Sequence, residues 1–186
     1  MDRFAINRIL KLTDIRSEYE FEKISSLYLQ LRKKTKTSDV DYQDERNHLK
    51  KLIKEYEHKN WLKEEDISEI QIKESDTAED LVRKENEFNQ KRKELIKKRL
   101  KEYSLNQNDL AKILGHRKGY MSELINGLRP FSKEDIIILN QLLKIKLEDL
   151  MPPFIKYSKV IKVKKALSSI SKDKVNLKEV SLLQIA

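Results

Sequence analysis

The sequence predicts an all-α protein. An N-terminal helical region is joined by a long helix to a C-terminal domain of five helices, and a basic extension follows. Three observations carry this. Only 3 glycines and 3 prolines interrupt 186 residues, so long regular elements with brief joints are expected. Charged residues (38%) match hydrophobic ones (38%), the balance of helices with solvated outer faces. Apolar residues recur at i, i+3, i+4 in several stretches, the spacing that lays a stripe along one helix face.

The most informative stretch runs from Leu105 to Met151. Asn106 and Asp109 are placed to form a capping box, and Leu110, Ala111 and Leu114 give the helix they open a buried stripe. Gly115 ends it by supplying a left-handed residue. Met121, Leu124 and Ile125 give a second short helix its core positions, and Asn126-Gly127 closes it. Pro130 breaks the chain. Ser132 and Asp135 then cap a third helix carrying Ile136, Leu139 and Leu143. Leu147 and Leu150 form a last turn before Pro152-Pro153 stops the helix.

Two short helices joined by a tight glycine-containing turn are the helix-turn-helix signature, in which the second helix lies in the DNA major groove. The order and spacing closely resemble the phage-repressor (XRE-like) helix-turn-helix family. The matching residues are LNQNDLA at the start, LG at the turn, MSELINGLR in the second helix and the closing L-x-x-LM. The resemblance implies a DNA-binding domain over residues 81–151.

In this fold the start of the second helix meets base edges. Here that end carries Arg117, Lys118, Gly119 and Tyr120, with Ser122 and Glu123 one turn later. Arg117 and Lys118 can bond guanine O6 and N7, and Glu123 can accept from cytosine N4. Gly119 offers only close approach. His116, in the turn, suits a phosphate or turn hydrogen bond. Tyr120, Arg129 and Lys133 suit contacts to the DNA backbone. The resemblance places Gln107, at the start of the preceding helix, against a phosphate. Met121, Leu124 and Ile125 are expected in the core.

Residues 1–14 fit a strand or a short helix. Ser17 opens an S-x-x-E capping box, and Phe21, Ile24, Leu27, Tyr28 and Leu31 follow at helical spacing. A second helix carries Leu49, Leu52, Ile53 and Tyr56 and ends near Asn60. Trp61 and Leu62 are expected to pack back on the pair. Residues 64–80 are acidic and read as a linker or a short strand. Thr77 with Asp80 is expected to cap a long helix from Leu81 to Tyr103, with Phe88, Leu95, Ile96 and Leu100 on its inner face. Its stretch KRKELIKKRLK is a basic stripe, either a solubilising face or a phosphate contact. Residues 152–186 alternate lysines with apolar residues, which suits a basic helix.

The phrases IRSEYEFEKISSLYLQL and LKKLIKEYEHKNW resemble the N-terminal helices of HigA-type antitoxins, which precede a helix-turn-helix in that family. The resemblance implies that residues 1–63 bind a toxin or form a dimer. It also implies a RelE-like mRNA-cleaving toxin as partner and repression of the protein's own operon. A homodimer is expected, because paired half-sites lie about 34 Å apart and one recognition helix reads only a few base pairs. Glu18, Glu20, Glu22, Glu64, Glu65 and Asp66 are candidate steering groups for a basic toxin. A stand-alone regulator without a toxin is the alternative.

The net charge of +9 favours an anionic partner, nucleic acid or an acidic protein surface. With no cysteine, disulfides and thiolate metal sites are excluded. No apolar run reaches the roughly 18 residues of a membrane span. The start MDRFAINRILKL is too polar for a secretory signal, so a cytoplasmic protein without membrane association is expected. His48, His58 and His116 lack metal-ligand spacing, and no phosphate loop, nucleophile elbow or carboxylate pair is present. No cofactor and no enzymatic activity are expected.

Overall fold

The computed structural model describes residues 10–35, 42–62 and 67–153, together with isolated positions between 155 and 170. The described residues form helices and no strand, as the sequence predicts. In chain order the helices are α1 (Glu18–Thr35), α2 (Gln43–Asn60), α3 (Glu69–Glu102), α4 (Gln107–Ile113), α5 (Lys118–Ile125), α6 (Lys133–Leu143) and α7 (Leu147–Leu150). They divide into two compact units. One contains Gln43–His48 and Lys84–Pro153; the other contains Asp14–Tyr42 and Leu49–Arg83.

The long helix differs from expectation. It starts at Glu69 and runs to Glu102, so most of the expected acidic linker is helical. The start signal is Ser68, a serine cap whose Oγ accepts from the backbone N of Gln71 at 3.2 Å; the Gln71 side chain donates instead to the Asn60 carbonyl at 2.9 Å. Thr77 lies inside the helix and donates from Oγ1 to the Lys73 carbonyl at 2.7 Å. It is therefore not a cap. The stretch from Glu69 to Asp80 holds neither glycine nor proline, so nothing in it breaks a helix once Ser68 has opened one.

In the unit that carries the C-terminal helices, Ile96, Leu100, Leu110, Ala111, Met121, Leu124, Ile125, Leu139, Leu143 and Leu150 form one core with Phe131 and Ile145. The last part of α3 is thus the first of five helices around this core, as the spacing of Ile96 and Leu100 predicts. Each fully buried leucine contributes about 1.5–3 kcal/mol.

Arg92 is also buried here, only 3% exposed. Its guanidinium carbon lies 5.3 Å from the Phe88 ring centre and 5.1 Å from that of Phe131. Nη2 donates to Asn89 Oδ1 at 2.9 Å and Nη1 to the Leu150 carbonyl at 3.4 Å. Burial lowers its pKa to about 10. The stacked rings and the two carbonyl acceptors hold a cation within a core that offers it no carboxylate among the described residues.

In the other unit, Ile24 and Leu31 of α1, Leu49, Leu52 and Tyr56 of α2, and Ala78, Leu81 and Val82 of α3 are buried. Ser17 Oγ accepts from the backbone N of Glu20 at 3.2 Å, as the S-x-x-E pattern predicts. Phe21 stacks on Tyr56 with ring centres 5.0 Å apart. Trp61 packs back as expected and donates from Nε1 to Glu18 Oε1 at 3.2 Å. Leu62 does not; it is 62% exposed. The strand or helix expected of residues 1–9 and the acidic residues 64–66 lie outside the described residues, as does most of the expected basic helix after Pro153.

Candidate nucleic-acid interface

The interface is built from two short helices and the turn between them. Asn106 Oδ1 accepts from the backbone N atoms of Asn108 and Asp109 at 2.8 and 3.2 Å, and Asp109 Oδ2 accepts from the backbone N of Asn106 at 3.0 Å. This reciprocal capping box fixes the start of α4. Gly115 takes φ +68°, and the backbone N of His116 donates to the Ala111 carbonyl at 2.8 Å. The chain leaves α4 through a left-handed residue, as the sequence predicts. Arg117, with φ −71° and ψ 150°, is extended and starts α5 without a side-chain cap. Met121, Leu124 and Ile125 face the core and Glu123 is buried with them, which leaves Lys118 and Tyr120 exposed on the outer side.

The structure brings Arg117, Lys118, Gly119 and Tyr120 together at the N-terminal end of α5, with Ser122 one turn on. Arg117 and Lys118 are exposed. Neither has an ion-pair partner among the described residues. Other cations are engaged: Lys91 Nζ lies 2.8 Å from Asp149 Oδ1 and Arg99 Nη1 2.8 Å from Glu102 Oε2. Tyr120 is 39% exposed. Its ring centre lies 4.9 Å from that of His116, with the planes tilted by 58°, and 5.1 Å from the Arg129 guanidinium carbon. Lys133 is exposed at the first position of α6. Gln107, first in α4, lines a groove of about 340 Å³ together with Lys97 and Lys101 of α3.

Two expected readers have other partners. Glu123, expected at a cytosine N4, is only 4% exposed, and its Oε2 accepts from Arg129 Nε. The loop after α5 folds Arg129 back onto the carboxylate, which turns Glu123 into half of an internal ion pair. Arg129, expected on the DNA backbone, is committed to that pair; the hydrogen bond it donates to Glu123 raises its pKa. His116 makes the turn hydrogen bond of its two expected roles, with Nε2 2.9 Å from Asp135 Oδ1.

Sequence reasoning left out Asn126 and Lys93. Lys93 Nζ donates to Asn126 Oδ1 at 2.8 Å, and Asn126 Nδ2 donates to the Ser122 carbonyl at 2.8 Å and to Ser122 Oγ at 3.3 Å. Asn126 was read only as a helix end. The four-residue spacing from Ser122 was the signal available.

Residues 96–150 match the helix-turn-helix family HTH_3. The match covers the end of α3 and all of α4 to α7. This part of the chain is an XRE-like helix-turn-helix domain, a class of regulator that binds double-stranded DNA. Comparison with curated proteins and with solved structures gave no match. Among the described residues, no helix is long and apolar enough to cross a membrane.

Proposed function

We propose that the protein represses its own operon by binding an operator through the N-terminal end of α5, and that its N-terminal helices neutralise a RelE-like toxin. The observation that carries the DNA-reading part is the exposed pair Arg117 and Lys118 at the open end of α5, free of carboxylate partners among the described residues. Both can reach guanine acceptors in a major groove. Lys133 and Gln107 contact phosphates and set the register, and Tyr120, in contact with His116 and Arg129, reaches the backbone. The operator is read by a homodimer, one α5 per half-site.

The antitoxin part rests on the resemblance of the α1 and α2 sequences and on the surface of their unit. Phe21, Lys54, Glu57, His58, Trp61, Leu62 and Ser75 line an open groove of about 650 Å³. Leu62 is exposed at its edge. An apolar groove with a polar rim suits a protein partner. Glu20 is exposed and suits the steering role. Glu18 does not, being 5% exposed and held inside by Tyr56 and Trp61.

Two measurements separate the parts. An electrophoretic shift with DNA from upstream of the protein's own gene tests DNA reading; no preference over unrelated DNA overturns it. Co-expression with the product of the adjacent small reading frame tests the antitoxin role. A stable complex that relieves growth arrest supports it. No complex leaves a stand-alone regulator.

A further inference from the structure

The relay Lys93–Asn126–Ser122 joins α3 to the outward face of α5, and donor and acceptor chemistry settles the direction of every bond in it. An ammonium group only donates. Lys93 Nζ, 2.8 Å from Asn126 Oδ1, therefore fixes which end of the amide faces α3. The other end, Nδ2, must face Ser122, where it lies 2.8 Å from the carbonyl and 3.3 Å from Oγ. A lone pair of the Ser122 hydroxyl is thereby occupied by an N–H. Among the described residues the hydroxyl proton has no acceptor.

Ser122 follows Lys118 by four residues and Gly119 by three, so it shares their face of α5. Gly119, with no side chain, leaves space on that face. Ser122 itself is half-buried, while Lys118 is exposed. Serine by itself carries little information in DNA recognition, because its hydroxyl can donate or accept. With one of its two lone pairs taken and its proton turned away from the amide without an acceptor among the described residues, the Ser122 hydroxyl is biased toward donating.

We propose that Lys93, acting through Asn126, sets the Ser122 hydroxyl as a donor toward the DNA, so that at the base edge it meets Ser122 selects a keto base, guanine through O6 or thymine through O4, over an amino base. Lys93 and Asn126 are positioning residues and Ser122 is the contact. The inference rests on the DNA-reading proposal above.

The test is selection from a pool of randomised duplexes with the full-length protein, followed by competition between duplexes that differ at single base pairs. The wild type selects a site, and Ser122→Ala flattens the preference at one position by about tenfold. Asn126→Asp replaces the amide with an acceptor-only group that takes the hydroxyl proton. The preference at that same base then moves to the amino bases, adenine through N6 or cytosine through N4, while the other positions keep theirs. Lys93→Met frees the amide to rotate and blurs the same position alone. Retention of the other preferences shows that each variant is folded. Asn126→Asp and Lys93→Met both keeping the wild-type preference at every position overturns the inference while DNA reading stands. No selected site with the wild type overturns DNA reading itself, and the inference with it.

Discussion

The Nε2 atom of His116 lies 2.9 Å from Oδ1 of Asp135, so the turn before α5 is fastened to the first turn of α6. The same carboxylate accepts from the backbone N of Ser132 through Oδ2 at 3.0 Å, and the backbone N of Asp135 donates to Ser132 Oγ at 3.0 Å. One side chain thus closes a capping box and holds the segment that leads into the recognition end.

Asp135→Ala removes both functions and is expected to cost about 2 kcal/mol of domain stability. His116→Ala is expected to cost about 1 kcal/mol, since only the turn contact is lost. Urea denaturation of the two single variants and the double variant checks this. The double variant should lose less than the sum, because the contact is shared.

Glu123 and Arg129 form an unequal pair. Glu123 is buried, while the Arg129 side chain is 39% exposed. Arg129→Ala leaves a carboxylate in the core without its partner; Glu123→Gln leaves an arginine that can turn to water. The urea midpoint should therefore fall further for Arg129→Ala. Glu123→Gln should also strengthen binding to unrelated DNA at low salt, because Arg129 becomes available to phosphates.

Two glycines with similar backbones should respond differently to alanine. Gly115 and Gly127 have φ +68° and +73°, and a Cβ on Gly115 meets nothing within 4 Å. On Gly127 it falls 2.5 Å from Asn89 Cγ. Gly115→Ala is expected to cost about 1 kcal/mol for the left-handed conformation alone. Gly127→Ala should cost clearly more, and Asn89→Ala in the same chain should recover part of the difference. Thermal unfolding of the set reads this directly.

Glu18 gives the unit of α1 and α2 a pH dependence. Burial raises its pKa, against the hydrogen bonds from Tyr56 and Trp61, which lower it, and the Glu74 charge raises it further. Burial, with Glu79 and Glu18 nearby, raises Glu22 as well. The folded state then binds more protons than the unfolded state between the ordinary glutamate range and the raised values, so stability falls as pH rises through that window. Glu18→Gln keeps an acceptor for Tyr56 and Trp61 and removes this contribution. Urea midpoints measured from acid to neutral pH should show a shallower decline for the variant.

The parts of the fold that were legible in the sequence were those whose partners lie within one turn. Asn106 with Asp109, Ser132 with Asp135, and Gly115 all stand where the sequence puts them, because a cap or a left-handed stop is decided by adjacent residues. The start of α3 is hidden because an acidic run between Trp61 and Leu81 reads as solvated linker, and the Ser68 cap lies inside that run. Arg92 was hidden in a basic stripe, where a solvated lysine and a buried arginine look alike. Glu123 was misassigned because its fate is set by Arg129, six residues on and beyond the end of the helix, a distance at which no helical spacing applies. The reading end of α5 was legible as a set of residue types. Which of them are already engaged was not, since that depends on loops folding back.

Operator reading falls to Arg117 and Lys118 in the proposed function. The measurement is affinity against salt for DNA from upstream of the gene and for unrelated DNA, with the wild type and with the Arg117→Ala, Lys118→Ala double variant. The wild type should show a steep salt dependence and a clear preference for the upstream DNA. The double variant should show at least about a tenfold loss on that DNA, a shallower slope and little remaining preference. Equal affinities, slopes and preferences for the two proteins would contradict operator reading by the pair.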